Sequence, residues 1–373
     1  STSSGVQQVA LAAGIGALLA ASLAGTLALK RILQQRRRRA GETIAIDADP
    51  TPLEQVLNTQ SGPSGVALLD TALRTLALTA QTEERELPVL RGARVSDRTV
   101  ELILDEPAEP LAPFTPGSGP GRWVLDSKAK LLDTETAPDV PDAPYPGLVT
   151  LGATENGDLL LADLLHTGTL LLEGTADDVL AVGRAMALEA GTCGWTDHTE
   201  IMTVGLGTRL ATLLPRGRVR PMPHVSAVVA DLGALLLEVH QQADDSGAPE
   251  PLPWILICAG DVDNEQAWQL ADAVSAARNL PIAIVLPAND ATRNAFPTAE
   301  PIAAAPGTPV TLPQLSDEAV QLQRLTDEQY HQYVHALKVA EEPAEPATGT
   351  WQLAEPHDQT AAAPRPQPHP LLR

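Results

Sequence analysis

From Gly147 onward the sequence alternates short, wholly apolar runs with helix-length amphipathic segments, and few folds accept that pattern. Thr169 to Glu173 (TLLLE) is a short continuous apolar run, and Glu200 to Gly205, Trp254 to Ala259 and Pro281 to Leu286 read as further strands. Such runs suit strands buried on both faces, as in a parallel sheet. Helical patterns fill the gaps at about Ala176–Ala190, Val225–Gln242 and Glu265–Asn279. Parallel strands need crossovers, so the expected class is α/β with helices on the sheet faces. A leading hairpin is expected from Leu148–Gly152 and Leu159–Leu161. A last helix, Thr326 to Val339, opens with Thr326 and Gln329 spaced as a capping box.

Upstream, Val66 to Leu78 has helical spacing, and the charged Glu83-Glu84-Arg85-Glu86 patch ends it. Leu87–Arg91, Thr99–Leu104 and Arg122–Leu125 read as strands of a small α+β unit. Nine prolines between Asp105 and Pro146 mark a loop-rich seam. Val9 to Leu29 is an uninterrupted run of 21 residues drawn from Ala, Leu, Gly, Val, Ile, Ser and Thr. At about 1.5 Å per residue it matches the roughly 30 Å bilayer core. Lys30, Arg31, Arg36, Arg37, Arg38 and Arg39 follow it, six of the chain's 25 basic residues within ten positions. A secretory signal places its cations before the apolar stretch, so a single-pass transmembrane helix is expected, with the N-terminal end outside and the bulk of the chain cytoplasmic.

The expected organisation is therefore an extracytoplasmic end (1–8), a transmembrane helix (9–29) and a basic juxtamembrane linker (30–61). A small α+β domain (62–146), an α/β domain (147–340) and a Pro/Ala-rich tail (341–373) follow. The first residue is Ser, as expected of a piece of something longer. The formal charge of -22 argues against direct nucleic-acid binding. Two cysteines, Cys193 and Cys258, are too few for a disulfide scaffold or a zinc ligand set and read as small core residues.

The TLLLE strand followed by Gly174 and a helix occupies the place of a phosphate-binding loop. That motif needs a second Gly, a Lys for the phosphates and a Ser/Thr for magnesium. Counted from Gly174, those positions hold Val179, Leu180 and Ala181. Asp177 and Asp178 fall in the first helical turn and repel an anion where free N–H groups would otherwise attract it. Thr175 with Asp178 resembles a helix cap. No cofactor is therefore expected. Asp261 and Asp263, beyond the Trp254–Ala259 strand, are weak metal-side candidates with no Lys partner. His331 and His335 share a helix face but have no third ligand nearby in sequence.

The segment PYPGLVTLGATENGDLLLADL with GTLLLEGTADDVLAVGRAMALE, Tyr145 to Glu189, resembles the large actinobacterial membrane proteins that carry LysM and bacterial transcriptional activator (BTAD) domains. It is also similar to the start of FtsK/EccC-type translocase ATPase domains, where the same strand feeds an intact phosphate loop. The resemblance implies a degenerate P-loop-NTPase-like domain, with Val179, Leu180 and Ala181 departing from the motif. Three functions stay open. The first is a membrane-anchored scaffold or regulatory subunit, not an enzyme, whose pseudo-ATPase domain binds membrane or cytoplasmic proteins in an envelope or secretion assembly, with self-association allowed. The second is an ATPase motor that draws a cation from Arg184, Arg209 or a neighbouring subunit. The third is a membrane-linked transcriptional regulator acting through a domain outside these residues.

Overall fold

The computed structural model describes residues 17–37, 42–43, 64–96, 99–134, 136–137, 139–196, 198–214, 218–242, 251–342 and 345–346. Two helices come first, α1 (Ala17–Arg37) and α2 (Ser64–Glu83). Strands β1 (Leu90–Val95), β2 (Val100–Leu104), β3 (Phe114–Pro116) and β4 (Arg122–Leu125) follow. The expected hairpin is β5 (Leu148–Thr154) and β6 (Leu159–Asp163), followed by the single turn α3 (Leu164–Thr167). The alternating part comprises β7 (Thr169–Glu173), α4 (Ala176–Thr192), β8 (Glu200–Val204), α5 (Arg209–Leu213), β9 (Val219–Met222), α6 (Val225–Gln242), β10 (Trp254–Cys258), α7 (Asn264–Ala276), β11 (Ile282–Pro287), α8 (Asp290–Ala295) and β12 (Pro301–Ala303). The chain closes with β13 (Val310–Leu312), β14 (Ser316–Leu322) and α9 (Asp327–Val339), and Glu42–Thr43 pairs with Glu345–Pro346.

Among the described residues these strands form two large sheets. One is parallel throughout, in the order β9-β8-β10-β11-β7-β12. The other is antiparallel throughout, in the order β13-β14-β5-β6-β1-β2-β4-β3. The second sheet joins residues on both sides of the expected boundary at 146/147: β6 pairs with β1, and β14 returns from position 316 onward to pair with β5. The strand alternation sorts side chains into layers. Leu159 and Leu161 of β6 pack under α2 with Trp195, whereas Leu160 and Ala162 face α4. Ile255 and Ile257 of β10 face the same central layer, whereas Leu256 and Cys258 pack on the far side with α6 and α7.

Helix α4 lies in that central layer, apolar nearly all round, and carries one fully buried carboxylate. Glu189 Oε1 accepts from the Thr150 backbone N–H (2.8 Å) and hydroxyl (2.7 Å), and Oε2 accepts from Gln323 Nε2 (2.6 Å). Burial pushes its carboxyl above the ordinary range, against the lowering effect of these donors. The network ties α4 to β5 and to the chain just beyond β14, so the two sheets share an interior anchor.

Helix α1 corrects the expectation of a spanning helix. It packs against α4, α2 and α9. Leu19, Ala20 and Leu23 are fully buried in the central layer, and Leu27 nearly so. The same stripe continues into polar partners. Ser22 Oγ lies 3.1 Å from Cys193 Sγ, Lys30 pairs with Glu341, and Gln34 donates to the carbonyls of Val339 and Glu342. From Leu19 to Leu27 the described part of the run thus packs against protein, with α4 and α9 beside it. Among the described residues no helix is long and apolar enough to cross a membrane. Val9 to Gly16 lie outside the described residues.

Candidate functional site

In the parallel sheet, the connections run outward from β7 to β8 and β9, return through β10 and β11, and then pass to β12 on the other side of β7. α/β sheets place their ligands beyond the carboxyl ends of their strands, and a helix N-terminus directly after such an end turns free N–H groups toward an anion. The turn from β7 into α4 is therefore the candidate site. It coincides with the Gly174 to Ala181 segment.

That turn is filled by its own side chains. Thr175 is the N-cap of α4 with extended backbone (φ -68, ψ 163), and its hydroxyl accepts from the Asp178 N–H. Asp178 Oδ2 reciprocates, accepting from Thr175 N–H (3.2 Å) and Thr175 Oγ1 (2.7 Å). Its other oxygen, Oδ1, accepts from Arg324 Nη2 at 2.8 Å. The second Arg324 nitrogen donates to the Ala304 carbonyl at the end of β12. Both paired side chains are largely shielded, at 13% and 14% exposed. Arg324 and the Thr175 hydroxyl together hold the Asp178 carboxyl below the ordinary range. A Cβ on Gly174 would stand 3.0 Å from Asp178 Cβ and 3.5 Å from Ala304 Cβ. A carboxylate thus occupies the anion position at the helix N-terminus, and the loop has closed around it.

The three positions that a working loop would use point elsewhere. Val179 is buried in the central layer, Leu180 packs at its edge, and the Ala181 carbonyl accepts the Leu325 N–H at 2.9 Å. Asp177 is exposed on the first turn. Across the crevice, the Ala259 N–H donates to the Val204 carbonyl at 2.9 Å. Gly205 has φ +78, and a Cβ there would reach 2.5 Å from the Gly260 nitrogen. The carboxyl ends of β8 and β10 therefore touch backbone to backbone.

The remaining sequence candidates are dispersed. Asp263 is the N-cap of α7, accepting from Gln266 N–H at 2.8 Å, and Asp261 is exposed two residues earlier. Among the described residues no three His, Cys, Asp or Glu side chains are placed to hold a metal ion. His331 Nδ1 lies 2.8 Å from the Asp327 carbonyl, and His335 is exposed one turn on. Arg184 is 7% exposed; it donates to Asp327 (2.8 Å) and stacks 3.9 Å from the Tyr330 ring centre. Arg209 begins α5 and is exposed near Tyr330. Both cysteines are core residues, and burial pushes the Cys258 thiol up to about 11. Of the basic cluster, Lys30 is buried against Glu341, whereas Arg31 and Arg36 are exposed. Arg37 ends α1, and Arg38 and Arg39 lie outside the described residues.

Sequence reasoning missed Arg324, whose partner is 146 residues away. No local signal marks it, because the contact depends on β12 and β14 bringing the chain back to the loop. Glu189 was legible in retrospect as an acid in the middle of an otherwise apolar helix.

No known protein family and no curated protein matches this sequence. The LysM/BTAD resemblance thus finds no support there. Among solved structures, the chain is similar to the cytoplasmic domain of EssC, with 12% identity over 48% of this chain and 44% of that one, at a TM-score of 0.33. It is similar to ATPases 2 and 3 of Thermomonospora curvata EccC in complex with a signal sequence peptide, with 9% identity over 56% of this chain and 54% of that one, at a TM-score of 0.33. A third is the pCW3 conjugation coupling protein TcpA, monomer form with ATPγS, with 12% identity over 72% of this chain and 99% of that one, at a TM-score of 0.32. The chain spans about half the length of the EssC and EccC structures.

Proposed function

We propose that this chain is a scaffold or regulatory subunit built on a non-hydrolysing, P-loop-like α/β domain, and that it acts by binding protein partners, in an envelope or secretion assembly. One observation carries the reading: the Asp178 carboxylate, fixed by Arg324 and Thr175, sits where a phosphate would have to enter. A triphosphate would have to break that pair and then face Asp177 without a lysine. The motor alternative finds no free cation in Arg184, which Asp327 and Tyr330 hold.

The chain is further proposed to lie along an anionic bilayer surface through the outward side of α1. Leu29, Ile32 and Leu33 are exposed there beside Arg31 and Arg36, the pattern of an interfacial helix. Crosslinking in native membranes with mass spectrometry tests the scaffold role, which predicts recurrent protein partners; recovery of the chain always alone contradicts it. Sedimentation with phosphatidylserine vesicles tests the surface role, and equal partitioning onto phosphatidylcholine would sink it.

A further inference from the structure

The molecule holds a cavity beside the amino end of β7. It has a volume of about 350 Å³, within the range of small-molecule sites. Its wall is formed by Leu151, Ala162, Leu164, Leu170, Leu312 and Leu315, contributed by both sheets and by α3. Each of these is under 9% exposed. Leu315 reaches its place because position 92 is Gly: a Cβ there would stand 2.8 Å from Leu315 Cδ2. Arg122 Nη2 fixes the Leu315 carbonyl at 3.1 Å. The apolar wall is thus braced by the fold and does not depend on a ligand for its shape.

The mouth is polar. Arg91 and His166 stand there, each about one-third exposed, with Gln314 and Thr167 beside them. Asp105 accepts from Arg91 Nε at 2.7 Å and lies 3.6 Å from His166 Nε2. Among the described residues nothing accepts from the two terminal nitrogens of Arg91. Asp105 therefore takes only the Nε edge of Arg91, and the free edge of that guanidinium fork matches a second carboxylate, with the His166 ring nitrogen beside it. At about 30 Å³ for each water-sized group, the interior takes on the order of ten such groups. An apolar chain of that length ending in a carboxylate fits both halves of the site.

We propose that this cavity binds a medium-chain aliphatic carboxylate, its chain among the leucines and its head on Arg91 and His166. This goes beyond the scaffold reading and does not rest on it. The acid can arrive free or as the carboxylate end of a larger acyl compound, and the chemistry recognised is the same.

Calorimetric titration of the full chain with a series of linear carboxylates, hexanoate to tetradecanoate, tests it, with decanol as the headless control. The site predicts one saturable equivalent of decanoate. Affinity should rise about fourfold for each added methylene until the interior is filled, near ten carbons, and then level off. Arg91→Gln should weaken decanoate roughly tenfold while leaving decanol unchanged, since a charged hydrogen bond alone is lost. Leu170→Trp should abolish both, with circular dichroism confirming that this variant is folded. Arg91 lies at the surface, so its variant stays informative even if Leu170→Trp does not fold. A larger acyl compound with a carboxylate end, bound as tightly as decanoate, identifies a larger source and upholds the site. Absence of saturable binding, affinity indifferent to chain length, or decanoate binding unchanged in Arg91→Gln would overturn it.

Discussion

Asp178 combines three roles that are usually separate: it completes a capping box, neutralises a shielded arginine and fills an anion position. Asp178→Ala should cost about 2–4 kcal/mol, from the lost cap and the stranded Arg324. Because the folded carboxyl is held below its unfolded value, the pair stabilises the wild type above about pH 4 and is lost as the pH falls through the folded value. Urea melts should therefore show the gap between wild type and Asp178→Ala closing in acid, and a constant gap would count against the pair. Glu189 has the opposite sign. Its folded carboxyl is raised, so its contribution is fully present below about pH 4 and is lost as the pH rises through the folded value. Glu189→Gln keeps the acceptor for Thr150 and removes the cost of a buried charge. Relative to wild type, this variant should gain stability from pH 4.5 to pH 8; parallel curves would contradict it.

At the scale of elements, α1 acts as a strap across the central layer, and Cys193 reports on it. The thiol is 1% exposed beneath Ser22, and burial pushes it well above its ordinary range. Leu23→Ala removes a fully buried side chain and should cost about 3 kcal/mol, raising the open population of α1 roughly a hundredfold. Labelling of Cys193 by a thiol reagent under native conditions should accelerate accordingly, and an unchanged rate would mean that α1 does not cover it. A helix was legible in sequence over 9–29, but the structure describes it over Ala17–Arg37, through the basic stretch expected as a linker, and its use was not legible. A run of Ala, Leu, Gly and Ser suits a lipid core and a tight helix–helix groove equally well, and only the partners Cys193, Glu341 and Val339 decide between them. By contrast, α6 was legible to the residue and α9 to within its N-cap, Thr326, because amphipathic period and capping chemistry act locally. The short strands β9, β12 and β13 carry no local signal at three or four residues each; they exist because a sheet edge was there to receive them.

For the molecule as a whole, the boundary expected at 146/147 falls inside a continuous antiparallel sheet, since a change in composition marks a change of loop content and not of core. With β6 on β1, β14 on β5 and Glu189 joining both to α4, the two sheets should unfold together. A single calorimetric transition is expected for the full chain. The isolated 147–340 fragment, stripped of β1 to β4 and α2, should lack cooperative unfolding; a sharp transition in it would show two independent domains.

The central claim concerns the β7–α4 turn, where position in the fold was legible from TLLLE and Gly174 but the group that fixes its occupant, Asp178, is Arg324, far along the chain. Calorimetric titration of the full chain with ATP and magnesium tests it most directly. The predicted result is no heat of binding above dilution, in wild type and in Asp178→Ala alike, because Leu180 and Ala181 supply neither lysine nor hydroxyl. Saturable binding of one ATP in the micromolar range, strengthened by magnesium, would contradict the account.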